Sequence, residues 1–273
     1  MAGRRRQVEE KHVTDRPIEG GWLRTSVGGA TPTSITLRGR NLADEVMGKM
    51  SFSEVAYLLA SGRTPSREET VLFDAVLTSL ADHGLTPTAL AARFTYTGAP
   101  ESMQGAMAAG LLGAGSVFLG PVEDTARFLH DIVTGLPDGG ADDASLEAAA
   151  TGAVRRELDA GERIPGLGHP THTESDPRTP RMYAIAEETG LLGPHLRLLQ
   201  HVGTAFRSAS GKALPINGAG VAGAAFADLG LPPAIIRGFA LLARTAGLVG
   251  HLAEEMEHPI GPQLWLDVEH RAT

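Results

Sequence analysis

Residues 164–178 read IPGLGHPTHTESDPR. A glycine turn, Gly166, Leu167 and Gly168, delivers a histidine, His169, and an arginine, Arg178, stands nine residues further along. An imidazole gives or takes a proton near neutral pH, and a guanidinium fork grips a carboxylate through two parallel hydrogen bonds. Glycines, lacking Cβ, let a ligand lie directly against the backbone. The stretch therefore suits a substrate with a carboxylate and a reactive oxygen. In isolation the same letters would also serve as an ordinary turn carrying a solvated histidine, so their weight depends on what surrounds them.

Outward from this loop the chain reads as helical. Ser51 with Glu54, and Ser66 with Glu69, have capping-box spacing, in which two side chains satisfy the free backbone donors at a helix start. Beyond Ser66, the residues Val71, Leu72, Ala75, Val76, Ser79 and Leu80 form a stripe at helical spacing, and Gly84 offers a left-handed stop just after His83. Further helices are expected near 40–48, 103–114, 121–134, 145–160, 179–189, 195–210, 219–229 and 233–257. Residues 21–39, with alternating β-branched positions, are the segment expected to form strands. TGLPDGGADDAS at 134–145 and NGAG at 217–220 are the clearest breaks. No internal repeat is present, and the 34 glycines, together with abundant alanine, fit closely packed helices.

Composition narrows the function classes. The sequence has no cysteine, which rules out a disulfide framework, a thiolate metal site and a cysteine nucleophile. No apolar run approaches the roughly 18 to 20 residues that span a bilayer. The first residues, MAGRRRQVEEKHVTDRP, lack the apolar core of a secretory signal and read as a flexible arm over 1–20. A net charge of -8 and a pI near 5.7 argue against a nucleic-acid surface. The expectation is a cytoplasmic enzyme acting on small molecules, with neither nucleic acid nor membrane as a partner.

Four further stretches bracket the GLGHP loop in order: LADHGLTPTALAARFTYTG (80–98), AAGLLGAGSVFLGPVED (108–124), LPINGAGVAGAAFADLG (214–230) and FALLARTAGLVGHLAEE (239–255). Together the five segments resemble successive landmarks of the citrate synthase family. They are more similar to its short citryl-CoA lyase-like branch, which includes the lyase module of ATP citrate lyase, than to the longer synthases. The resemblance implies an all-α fold in which a large helical domain (21–120 and 217–273) is interrupted by a small helical domain (121–216), with the active site in the cleft between them. It also implies a homodimer, a CoA thioester as substrate, a small carboxylate as its partner, and no metal.

Residue by residue, the resemblance gives His169 to a substrate carbonyl or hydroxyl oxygen and Arg178 to a substrate carboxylate. His83 matches a second histidine that touches substrate. Arg244 matches an arginine of a late helix that reaches a carboxylate, and buried among Leu, Ala, Val and Gly it would be costly without an anionic partner. Gly166, Leu167 and Gly168 fall where the family lays backbone against CoA.

The departures carry equal weight. Phe118 stands where synthases have a histidine, as it does in the lyase module. Ala219 stands where the family pattern NVDG has the aspartate that moves the α-proton, and alanine has no proton to move. Pro170 replaces a common arginine, and residues 255–270 contain no Lys or Arg where a final arginine is expected. Loss of a general base removes roughly 10² to 10⁴ in rate. Candidate replacements are His172, Glu174 and Asp176 in the loop, and His251, Glu254 and Glu255 on the late helix, with His172 the choice for proton transfer. The HxxH spacing of His169 and His172, in a Pro-containing loop, resembles no zinc signature. Three functions stay open: a CoA-thioester carbon–carbon lyase or synthase on a substrate other than citrate, a weakened paralogue serving as a ligand-binding or regulatory subunit, and an acyl-CoA hydrolase.

Overall fold

The structure, a computed structural model, describes residues 25–137 and 141–272. The arm expected at 1–20 lies outside the described residues, as does the middle of the 134–145 break. Two compact units are present, one ending at Ser51 and the other running over Phe52–Thr273. In the first, Gly28–Ala30 (β1), Ile35–Leu37 (β2) and Arg40–Asn41 (β3) form an antiparallel meander with Thr36 opposite both Gly29 and Asn41. The strands expected in 21–39 are thus found from Gly28 on.

The helix expected at 40–48 is corrected. Arg40 and Asn41 belong to β3, and one wide turn, Leu42–Val46, follows. The Asn41 side chain accepts from the amides of Ala43 and Asp44, and Met47 N–H closes back on the Leu42 carbonyl. Gly48 then turns left-handed at φ 72°, so the segment ends after a single turn.

The second unit is helical throughout the described residues: Phe52–Ser61 (α1), Arg67–Ala81 (α2), Pro87–Gly98 (α3), Met103–Leu112 (α4), Gly120–Thr134 (α5), Asp143–Asp159 (α6), Arg178–Glu188 (α7), Pro194–Ser210 (α8), Gly218–Asp228 (α9), Pro233–Glu257 (α10) and Gly261–Ala272 (α11). The all-α expectation holds. The capping box at Ser66 is formed in both directions, and α2 buries Leu72, Phe73, Val76 and Leu80 at the expected spacing. The expected helices of this unit sit within two residues of their places, while α3 and α11 were not anticipated. The first of these is announced only by Pro87 at its start.

The main core gathers α2, α5, α8, α9 and α10 around Phe73, whose ring meets Tyr57, Phe226 and Phe239 edge-on at 5.1 to 5.8 Å between centroids. Helix α9 is buried on nearly every side because it is built of Gly, Ala, Val and Phe. Helix α10 is long and apolar enough to meet the length of a bilayer span, contrary to the expectation that no stretch approaches it. It is a core helix here, packed on α2, α3, α4, α5 and α9. One contact of α10 fixes the site. A Cβ at Gly247 would stand 2.1 Å from the carbonyl oxygen of Ala81, so glycine lets α10 cross the end of α2 at contact distance. Arg244 and His251, one turn before and one turn after Gly247, consequently flank the residues that follow α2.

Candidate active site

Three segments converge: the end of α2 with Asp82 and His83, the 164–178 loop, and the middle of α10. The loop is held by a backbone crossing. Leu167 bridges Ile216, Gly168 N–H donates to Pro215 at 2.8 Å, Asn217 N–H donates to Gly166 at 3.0 Å, and the Asn217 amide donates to Gly168 at 2.7 Å. Gly166 and Gly168 have φ of 85° and 79°, and a Cβ at Gly220 would lie 2.6 Å from the Gly166 Cα. These glycines are required by the crossing itself. Much of the 166–168 backbone is spent on residues 215–217 rather than left open.

His169 emerges from this knot with its Nδ1 accepting two backbone amides, Thr171 at 3.1 Å and His172 at 3.0 Å. That nitrogen therefore carries a lone pair, and the proton of the neutral ring is assigned to Nε2. Burial, then the charges of His172 and Arg178, hold the His169 pKa below the ordinary histidine value, with Asp176 pulling the other way. The ring is thus kept as a neutral Nε2–H donor. His83 and His172 bring their Nε2 atoms to 3.2 Å, a hydrogen bond in which one ring donates and the other accepts. All three rings cluster, with centroids 4.5 to 5.3 Å apart.

Three imidazoles with ligating nitrogens within 4.8 Å of one another could hold a metal ion. The donor set argues against it. With Nδ1 of His169 occupied by two amides and Nε2 protonated, that ring has no lone pair to give, and only the His83–His172 pair is left. Two imidazoles sharing a proton are better matched to moving one.

The two arginines are in opposite states. Arg178, at the first turn of α7, sends Nε to Asp176 Oδ1 at 2.9 Å and Nη2 to Asp176 Oδ2 at 2.7 Å, while Nη1 makes a 3.4 Å contact with the Ser79 carbonyl. Asp176 is fully buried and also accepts the amides of Arg178 and Gly218. Burial alone would raise its pKa, but the Arg178 guanidinium and those two amides hold it far below the usual carboxylate range. The guanidinium lies where a side chain at Gly218 would be, 2.1 Å from an ideal Cβ. The fork expected to receive a substrate carboxylate is occupied by Asp176.

Arg244 is only 7% exposed, and its Nε and Nη1 are buried with no hydrogen-bond partner. The nearest acid, Asp82, stands at 3.9 Å and is itself engaged by Gly84 N–H at 2.8 Å and His251 Nε2 at 2.9 Å. Burial lowers the Arg244 pKa, Asp82 offsets part of that, and Arg178 adds to it. A buried guanidinium with two idle donors has the electrostatics of a carboxylate receptor.

Of the candidate bases, Glu254 and Glu255 both pair with Arg93, and Glu255 also accepts the amides of Ile260 and Gly261. His251 is tied to Asp82, Asp176 to Arg178, and Glu174 is exposed on the loop. His172 is left, with His83 as its partner. Ala219 is half-buried at the start of α9, and Phe118 is exposed on the turn before α5. Sequence reasoning missed Asp82. Its signal is faint: an Asp directly before His-Gly, whose side chain closes a local turn onto the Gly84 amide.

Comparison with known proteins places this geometry. Residues 64–262 match the family of the citrate synthase C-terminal domain. Citryl-CoA lyase from Hydrogenobacter thermophilus superposes with a TM-score of 0.77 at 30% identity, over 86% of this chain and 87% of that one. ATP citrate lyase from Methanothrix soehngenii, solved with citrate and coenzyme A, superposes with a TM-score of 0.72 at 22% identity, over 89% of this chain and 40% of that one. Citrate synthase of Haloferax volcanii is 25% identical over 203 residues, 74% of this chain, and the chain spans about half the length of that relative.

Proposed function

Because the chain belongs to the citrate synthase family, we propose that it makes or breaks a carbon–carbon bond beside a CoA thioester, on a substrate other than citrate. In the forward sense the His83–His172 pair takes the proton from the thioester α-carbon, and that carbon attacks the carbonyl of a small carboxylate-bearing partner. The partner's oxygen, held by His169 Nε2–H, becomes a hydroxyl and receives the proton. Cleavage is the same path reversed. Arg244 holds the carboxylate, and the 166–168 loop lies beside the CoA arm.

The observation that carries this reading is Arg244, buried with two unpartnered donors and coupled to the histidine cluster through Asp82 and Arg178. Leaving such a donor unsatisfied costs a fold about 1 to 3 kcal/mol, more when it is charged, which an arriving carboxylate would offset. The test is product formation from a panel of acyl-CoA esters, with and without a 2-oxo acid, and from 3-hydroxyacyl-CoA adducts in reverse. Turnover in neither direction would sink it.

One observation favours a second reading. Asp176 seals the fork of Arg178 while Ala219 leaves the base position empty, a pair of changes that suits a ligand-binding paralogue serving another subunit. Binding without turnover would select it. We also propose a homodimer: Leu112 and Val117, and Val249 and Met256 one heptad apart on α10, are large, apolar and exposed. A monomeric mass at micromolar concentration would overturn that.

A further inference from the structure

The charge state of the two arginines says what kind of partner the cleft takes. Arg178 is neutralised: both oxygens of buried Asp176 sit on its Nε and Nη2, and a third polar group, Gly218 N–H, depends on the same carboxylate. Arg244 keeps Nε and Nη1 free in a buried position, with Asp82 too far for a hydrogen bond. The site thus offers one unsatisfied guanidinium edge, which matches one carboxylate. A second carboxylate would have to be buried without a cation or displace Asp176, leaving that acid buried and unpaired and the α9 amide open.

Resting on the reaction proposed above, we infer that the carbon partner is a 2-oxo monocarboxylic acid, and that the adduct is a 3-carboxy-3-hydroxyacyl-CoA with a single free carboxylate. The step balances without a co-reactant. The acyl-CoA α-carbon loses a proton and bonds to the keto carbon, the keto oxygen gains that proton, and cleavage returns the acyl-CoA and the 2-oxo acid. Two sources of the one carboxylate differ in this scheme: the free acid, which we infer, and an acyl-CoA that carries its own.

Titration calorimetry on the full chain separates them, with pyruvate and lactate as one-carboxylate probes, oxaloacetate and malate as two-carboxylate probes, and acetyl-CoA and succinyl-CoA as thioesters. Lactate and pyruvate should bind, and malate and oxaloacetate should gain less than about tenfold over them. Arg244→Gln should weaken the one-carboxylate probes by more than about tenfold. Asp176→Asn, which releases the Arg178 fork while keeping its shape, should tighten malate by more than about tenfold and leave lactate unchanged. If that variant fails to fold, the lactate-to-malate ratio of the unaltered protein decides alone.

A gain above about tenfold for malate in the unaltered protein overturns the inference, because it demands a second working cation. So does a preference for succinyl-CoA over acetyl-CoA that vanishes in Arg244→Gln, because the carboxylate then arrives on the thioester. Acetyl-CoA binding with no binding of any acid likewise overturns it while sparing the proposed reaction. Absence of binding by acids and thioesters alike overturns the proposed reaction itself.

Discussion

Two buried arginines meet helix α10 and have opposite surroundings. Arg93, on α3, is 3% exposed, and its guanidinium is satisfied by Glu254, Glu255 and the His251 carbonyl, with Glu255 in turn capping the start of α11. Arg244, in the middle of α10, is nearly as buried and has two donors with nothing to bond. The first is a structural joint among α3, α10 and α11. The second spends stability on an empty receptor. Burial alone does not separate a structural from a functional cation; the accounting of its donors does.

The comparison is broken most directly at the joint. Arg93→Met leaves Glu255 buried and charged with only the amides of Ile260 and Gly261. Removing one partner of a buried pair costs about 3 to 5 kcal/mol, so the denaturation midpoint should drop by that equivalent while any ligand affinity measured on the folded protein is preserved. An unchanged midpoint would mean that the α3–α10–α11 network is ornamental.

Arg244→Met should do the reverse. It removes a buried, unpaired charge in favour of an apolar chain of similar reach, so stability should hold or rise by about 1 kcal/mol, while carboxylate affinity falls by more than about tenfold, roughly 1.4 kcal/mol. A large stability loss with intact binding would put Arg244 in the same class as Arg93.

The same contrast explains what could be read in the sequence. Helix α2 was legible to its cap, because Ser66, Glu69 and the apolar stripe are local signals. Position 40–48 was not, because a helix-compatible composition lost to a strand pairing and to the Asn41 side chain. The residues His83, His169, Arg178 and Arg244 were all identifiable as chemistry-bearing. Their states were not. That Asp176 fills the Arg178 fork depends on a contact with the α9 amide 42 residues away, and that Arg244 faces Asp82 depends on Gly247 letting α10 touch α2. Motifs name side chains, and long-range packing decides which of them are free.

A smaller perturbation sharpens the Arg178 side. Gly218→Ala would press a methyl into the guanidinium, whose Cζ lies 2.1 Å from the ideal Cβ. Overpacking of this kind costs about 1 to 3 kcal/mol, and the shift should loosen Arg178 from Asp176. Thermal unfolding of Gly218→Ala beside Gly152→Ala, where a Cβ meets nothing within 4 Å, gives the measure. Equal behaviour of the two would show that the guanidinium is not seated as described.

The smallest expected effect is the pH dependence of His169. Its native pKa is lowered, by burial first and then by His172 and Arg178, with His83 adding to and Asp176 opposing the shift. Between that lowered value and the ordinary value of about 6.5 the unfolded chain binds more protons than the native one, so stability rises with pH across the window. The contribution is complete above about 6.5 and is lost as pH falls through the native value. The reason is geometric: a proton on Nδ1 would face the amides of Thr171 and His172, which already donate to it. The neutral donor form should therefore persist below the pH at which an exposed histidine charges, and His169→Gln should flatten that part of the stability curve. Nitrogen-resolved NMR of the ring checks it, with the proton on Nε2 at neutral pH. A midpoint at or above about 6.5, or a neutral ring protonated on Nδ1, would remove the donor from the site and return His172 to the list of possible metal ligands with His169 beside it.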